Sequence, residues 1–314
     1  MTIKTIIIDN SLSRRALCEE AKAVEIIAYM QSLYEMGVKY TEITTDVFLR
    51  LPPGQDFSKT ILRITNENDL YYVNSFNFAY VILPANLTHF AERIRKPIIS
   101  EIYLRGSNPF TVTKMFKKSF NLSNVSMIRY VDDFDDDKEL MEKLVKGLQE
   151  KFIWPIDICP LNHNAGGVSA AISAVFAGSD SVTMRYGDKT KFAELQDYML
   201  NLANMYGITP SKEAVVALCR CHALHYLVFG TPTDSDTDAL REYQIVPHRS
   251  TPVDGFMSYG YEGRMLKSIR NGRQKDEDIY LSPLVEKLRS MQLDKKSAKE
   301  ISDIIDSYCA KLFK

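Results

Sequence analysis

Eight short apolar runs, rich in β-branched residues and separated by stretches of helical length, occupy about the first two thirds of this 314-residue chain. They are Thr5–Asp9, Tyr40–Thr44, Thr60–Ile64, Ala79–Leu83, Ile98–Leu104, Ser126–Val131, Pro155–Pro160 and Ser181–Met184. Strands joined through helices run parallel, because the helical crossover carries the chain back to the end from which it started. Eight such units close on themselves, so the expected fold is α/β, a parallel (β/α)8 TIM barrel.

Local punctuation agrees with this frame. Ser13 is placed to cap a helix running through Met36, and Gly37 follows its end. Asp135, Asp136 and Asp137 put negative charge before a helix over Lys138–Lys151. Gly207 and Pro210 end the eighth unit, and the apolar run Ser211–Phe229 reads as a further helix. The polar, breaker-rich stretch 230–236 reads as a linker. Two helices are expected after it, Ser282–Met291 and Ala298–Leu312, the second opened by a Ser297/Glu300 capping box. The division expected is a barrel over 1–206 and a helical C-terminal extension over 207–314.

Charge narrows the function classes. With 39 basic and 40 acidic residues the net charge is −1, which offers no footprint for nucleic acid or an anionic membrane. No apolar run approaches the roughly 18 residues of a spanning helix, and the N-terminal segment Thr2–Asp9 reads as a buried strand rather than a signal peptide. A cytoplasmic location is expected. The five cysteines are odd in number and scattered, as reduced thiols would be. Phosphate-cradling glycine loops are absent, so no nucleotide cofactor is expected.

Chemistry in such a barrel sits at the C-terminal strand ends, and two segments there carry motifs. Ile7-Ile8-Asp9-Asn10-Ser11-Leu12-Ser13-Arg14-Arg15 resembles a first-strand D-T-T-L-R-D-G. Leu161-Asn162-His163-Asn164-Ala165-Gly166-Gly167, followed by Ala170 through Asp180, resembles H-x-H-N-D-x-G and then A-N-S-L-A-A-V-x-A-G-A-D. Val38–Ile43 is similar to a second-strand G-V-D-Y-I-E-I, and Pro247–Gly255 to a post-barrel H-E-S-G-I-H-V-D-G. On these motifs the chain resembles the DRE-TIM metallolyases from Ile6 to about Gly255, and the post-barrel match favours their homocitrate and isopropylmalate synthase branch. The resemblance implies Claisen condensation of acetyl-CoA with a 2-oxo acid at a divalent metal, in a dimer with interlocked post-barrel segments.

Carried over by position, the family's catalytic arginine becomes Ser13 and the aspartate ligand becomes Arg14. The first histidine ligand becomes Leu161, and His163 keeps the place of the second. The asparagine-containing turn becomes Met184-Arg185-Tyr186-Gly187-Asp188-Lys189. A hard cation needs several oxygen or imidazole ligands and is repelled by a nearby guanidinium, so no metal is expected. Arg14, always protonated, is expected to fill the vacated volume, bound to Glu42 or to an anionic ligand.

The working groups proposed from sequence are therefore Arg14, Glu42 and His163, with Arg105, Asp132, Asn164 and Arg185 as substrate-binding candidates. Each also has a purely structural reading: Arg14 and Glu42 as a paired plug, Asp132 and Asp133 as part of the helix-start charge cluster, His163 as a hydrogen-bonded relic. Cys219, Cys221, His222 and His225 share one helix, but steps of three drift around it, and packing residues are expected. His248 lies in the post-barrel match beside Arg249, where the family has an acidic residue.

Three functions fit this pattern. One is a non-catalytic barrel paired with an active synthase, as a heteromer or through the family's homodimer surface. A second is a metal-independent lyase or aldolase acting on a small 2-oxo acid. The third is a module binding small dicarboxylates or other carboxylates through Arg14 and Arg185.

Overall fold

The computed structural model describes residues 4–119, 124–134, 137–163, 166–187, 190–208, 211–231 and 296–312. Eight strands form a closed, all-parallel barrel in chain order. They are β1 (Ile6–Asp9), β2 (Tyr40–Ile43), β3 (Thr60–Arg63), β4 (Tyr80–Pro84), β5 (Ile98–Tyr103), β6 (Val125–Asp132), β7 (Ile156–Pro160) and β8 (Ser181–Met184). β8 closes on β1 with Ile6 opposite Ser181 and Asp9 opposite Met184. All eight lie where the apolar runs place them.

Side chains alternate across a strand, so every second residue enters the barrel. Ile8, Ile61, Ile82, Ile99 and Met127 pack there as one apolar cluster, with Ile6, Tyr40 and Tyr80 against them. Two residues further along their strands, Glu42, Arg63, Glu101 and Arg129 follow Tyr40, Ile61, Ile99 and Met127 on the same inward face. The barrel is thus apolar in its lower part and charged toward the C-terminal end.

The described residues form two compact units. The first takes in the chain through Arg14, Val38–Leu49 and Pro53–Leu195, and holds the barrel. Its helices include α1 (Ser11–Arg14), α4 (Asp69–Ser75), α5 (Pro109–Ser119), α6 (Lys138–Lys151) and α7 (Gly167–Ala177), while α3 (Thr45–Arg50) ends at the boundary. Asp137 caps α6 by accepting from the N–H groups of Glu139 and Leu140. α7 ends on Gly178 at φ +89°, a left-handed C-cap that glycine adopts without steric cost. Beyond it, the Asp180 side chain accepts from Ile156 N–H at 2.8 Å and its carbonyl from Ile6 N–H at 2.9 Å. The Ala-Gly-Ser-Asp turn therefore ties β7 and β1 to β8.

One expectation is corrected. The helix from Ser13 to Met36 is two helices, α1 and α2 (Ala23–Glu35), broken between them. Ser13 does not cap: its hydroxyl donates to Glu42 Oε1 at 2.6 Å. Ser13 lies inside α1 rather than at the start of α2, where Lys22 holds the N-cap position.

The second unit takes in Arg15–Gly37, Arg50–Pro52 and the described residues from Gln196 onward. Here α2 packs against α9 (Lys212–Phe229) and α10 (Ala298–Leu312), and α8 (Leu195–Tyr206) precedes them. Ser211 caps α9, and Ser297 and Glu300 form the capping box of α10. Cys221, His222 and His225 are buried. His225 Nδ1 meets the Thr231 carbonyl, so the ring Nε2 is left to accept from Arg15, 3.2 Å away. The Cys219 side chain, the expected helix Ser282–Met291 and the motif around His248 lie outside the described residues. No helix among the described residues is long and apolar enough to cross a membrane.

Candidate functional site

The charged upper layer of the barrel is a closed set of ion pairs. Arg63 Nε donates to Glu42 Oε1 at 2.5 Å, and its two terminal nitrogens donate to Glu101. Arg129 Nη1 donates to Glu42 Oε2 at 2.6 Å and its Nε to Asp157 Oδ2 at 2.5 Å. Thr183 adds its hydroxyl to Asp157 at 2.7 Å. From α1, Arg14 Nη2 reaches both oxygens of Glu101, each at 2.9 Å. Three guanidiniums thus meet three carboxylates.

All of these groups except Arg14 are buried, and burial alone would strip carboxylates of charge. Burial pushes Glu42 up, but Arg63, Arg129, Arg14 and the Ser13 hydroxyl outweigh it and hold the carboxyl well below its usual range. Glu101 follows the same balance, burial opposed by Arg63 and Arg14, and comes down to about 2. For Arg129, burial pulls down while Asp157 and Glu42 raise it further. Glu42 and Glu101 are held ionised by their partners, whereas at Asp157 burial outweighs Arg129 and Thr183 and raises the carboxyl.

Above it lies an apolar cap. Residues 190–195 return between the ends of β7 and β8, Asn162 N–H donating to Lys191 O and Ala193 N–H to Pro160 O, both at 3.0 Å. Arg185 N–H donates to Ala193 O at 2.9 Å, and Leu195 N–H to Arg185 O at 2.8 Å. This seats Phe192 against Val131, Cys159 and Leu161. The guanidiniums of Arg185 and Arg14 stand 4.5 and 5.7 Å from the ring centre, within cation–π reach. Burial under the cap pushes the Cys159 thiol up to about 12.

Asp9 belongs to the same region but makes no ion pair of this set. Its carboxyl accepts from Ser11 N–H at 3.0 Å, the Ser11 hydroxyl at 2.8 Å and Tyr186 N–H at 3.0 Å. Burial raises it to about 6 against these bonds and the charge of Arg185.

The site residues proposed from sequence separate into two groups. Arg14, Glu42 and Arg185 belong to the barrel filling and its cap. Arg14 is not paired with Glu42: its hydrogen bonds go to Glu101, and Glu42 is taken by Arg63, Arg129 and Ser13. Asp132 is the last residue of β6, and Arg105 and His163 lie just beyond the ends of β5 and β7. Asp132 accepts from Gly106 N–H and Asp133 N–H. His163, with a side chain 56% exposed, turns to Asp133, whose two oxygens meet its N–H at 3.1 Å and its ring Nδ1 at 2.8 Å. Arg105 is exposed, at φ +49°. Asn164 lies outside the described residues.

Sequence reasoning missed Arg63, Glu101, Arg129, Asp157 and Phe192. Four of them carried a signal: each is a lone charge inside a β-rich apolar run, at inward parity. Phe192 had none, because the residues it covers come from distant strands.

No family model matches the chain. Over 205 residues it is 24% identical to the omega subunit of homocitrate synthase from Clostridium pasteurianum, covering 59% of this chain and 54% of that protein. It thus spans about half the length of the curated relative it matches. Among solved structures it resembles the hydroxymethylglutaryl-CoA lyase of Bacillus subtilis, with TM-score 0.54 and 13% identity over 74% of this chain and 96% of that one. A lyase from Acinetobacter baumannii, solved with coenzyme A and 3-methylmalate, gives TM-score 0.56 and 14% identity over 74% and 94%. The chain thus shares the barrel fold of these lyases, and its likeness to the synthase subunit agrees with the resemblance that its motifs carry.

The residues at the positions matched to the family's metal ligands do not fit a divalent cation. Arg14 brings a positive charge already bound to Glu101, and Leu161 makes apolar contact with Phe192. His163 is exposed and held by Asp133. No group of three His, Cys, Asp or Glu side chains among the described residues is placed to hold a metal. A DRE-TIM site requires converging oxygen and imidazole ligands. Here that place holds guanidiniums and an aromatic ring.

Proposed function

We propose that this chain is a non-catalytic subunit that retains a synthase-like barrel and acts through assembly with a catalytic synthase chain. The observation that carries this reading is the filled barrel mouth. Arg14, Arg63 and Arg129 are spent on Glu101, Glu42 and Asp157 beneath Phe192, where the superfamily's metal and substrate would otherwise meet. A reacting 2-oxo acid needs charge aimed at it rather than charge already neutralised. The relative from Clostridium pasteurianum carries the name of a subunit, which supports the same reading. In this proposal the segment 207–314 supplies the interface, as the post-barrel motif implies.

The test is an assay of the purified chain with acetyl-CoA, a panel of 2-oxo acids and added magnesium, manganese or zinc, following release of the CoA thiol. No turnover is expected from the chain alone. A stoichiometric complex is expected with a synthase chain of the same organism, measured by light scattering after co-expression. Turnover by the isolated chain that disappears in Arg14→Ala would overturn the proposal.

A second reading rests on the exposure of Arg14, whose side chain is 20% accessible while those of Glu42, Glu101 and Arg129 are fully buried. A guanidinium at that position can hold a small carboxylate in a fork. Calorimetry with 2-oxo and dicarboxylic acids checks this, and binding lost in Arg14→Ala with the fold intact would favour it.

A further inference from the structure

A cleft of about 410 Å³ opens between α5 and α6 beyond the ends of β5 and β6, outside the barrel filling. We propose that it binds a small organic cation, a protonated amine carrying an apolar body. Its walls are apolar: Leu104, Phe110, Phe134, Leu140 and Leu144 all face it. Leu140 is left 52% exposed. A volume of this size with mostly apolar walls and few polar groups is that of a small-molecule site, whose range is roughly 300–1,000 Å³.

The Phe110 wall is fitted to α6. A Cβ added at Gly147 would stand 2.8 Å from Phe110 Cζ, so only glycine lets the ring lie where it does. Glycine inside a helix costs about 1 kcal/mol relative to alanine. The sequence accepts that cost where the ring needs the space.

The polar groups decide the ligand's charge. Asp132 and Asp133 line the cleft, and among the described residues each of their four oxygens has one donor: Asp133 N–H, Gly106 N–H, His163 N–H and the His163 ring. A carboxylate offers about four acceptor sites, so both retain capacity for an ammonium. Two cations stand nearby: Lys143 lines the cleft with its side chain 77% exposed, where solvent screens it, and Lys151 Nζ sits on the Phe110 ring, 3.9 Å from its centre. Of the charged residues that line the cleft, two are carboxylates and one is the screened Lys143. An ammonium against Asp132 and Asp133, with its apolar body between Phe110 and Leu144, satisfies both features; an anion of the same shape satisfies the walls but meets two carboxylates.

The experiment is calorimetry on the full chain with three probes of one shape: phenethylammonium, 2-phenylethanol and phenylacetate. The ammonium is expected to bind, the alcohol at least about tenfold more weakly, and the anion not at all, as loss of a charge-assisted hydrogen bond predicts. Asp132→Asn with Asp133→Asn should bring the ammonium down to the level of the alcohol. Gly147→Ala should weaken both, because it displaces Phe110. If the double variant does not fold, Lys143→Ala remains, an exposed change expected to tighten ammonium binding by removing a like charge. Equal affinity for ammonium and alcohol, or no saturable ammonium binding by the wild type, overturns the proposal. The outcome does not depend on whether the chain is catalytic.

Discussion

Arg14 Nη2 stands 2.9 Å from both carboxylate oxygens of Glu101, so the residue matched to a family metal ligand is bound to a carboxylate of its own barrel. Arg14→Ala should therefore lower stability. Glu101 keeps Arg63, so the expected loss is about 1–3 kcal/mol rather than that of a fully orphaned charge. Arg14→Lys should recover part of it. Urea unfolding of the three proteins measures this, and an unchanged midpoint in Arg14→Ala would show that the pair does not stabilise the fold.

Arg129 is more deeply committed, with no exposure and bonds to both Glu42 and Asp157. Arg129→Met removes the charge and leaves two carboxylates short of a partner. A loss of about 3–5 kcal/mol, or failure to accumulate folded protein, is expected. Thermal melts at neutral pH suffice to check it, and a loss below that of Arg14→Ala would contradict the ranking.

Two carboxyls respond to pH in opposite senses. Asp9 is raised by burial from 3.8 to about 6, so its contribution to folding is complete below pH 3.8 and is lost as pH rises through about 6. Glu101, held down by Arg63 and Arg14 from 4.5 to about 2, contributes above pH 4.5 and loses that contribution as pH falls toward 2. Asp9→Asn should therefore flatten the stability profile between about pH 4 and 6. It should leave the acid-side loss in place. Denaturant titrations across pH 3–8 test both limbs.

Phe192 seals Cys159 within the apolar cluster it forms with Val131 and Leu161. In the folded wild type the Cys159 thiol should resist alkylation, both from inaccessibility and because burial keeps it protonated. Phe192→Ala should cost about 3–5 kcal/mol and speed labelling of Cys159, read by peptide mass spectrometry. Equal labelling of Cys159 in both proteins would mean the ring is not the seal.

Metal content gives an independent check. The purified chain should carry no stoichiometric divalent ion in the barrel mouth, and His163→Ala should leave elemental analysis unchanged. About one zinc, manganese or magnesium per chain, lost in that variant, would mean that other ligands rebuild the site.

The strand order, the strand positions, the helix stop at Gly37 and the acidic start of the helix over Lys138–Lys151 were legible in the sequence because each depends on near neighbours: period-two burial, a helix-length spacer, a residue suited to a left-handed turn. The replacement of the superfamily's ligands by Arg14 and Leu161 was equally a matter of position. Which partner Arg14 would take was not. Glu42 and Glu101 both present inward carboxylates, and the choice depends on Arg63 and Arg129 having already occupied Glu42 from neighbouring parts of the barrel wall. The covering of that layer by Phe192 likewise required residues 190–195 to lie against strands far away in sequence. The sequence by itself determined a barrel and motif positions where Arg14 and Leu161 stand in place of metal ligands; only closure of the sheet brought the scattered lone charges within hydrogen-bonding distance, because their pairing is a property of the closed interior and of no single segment.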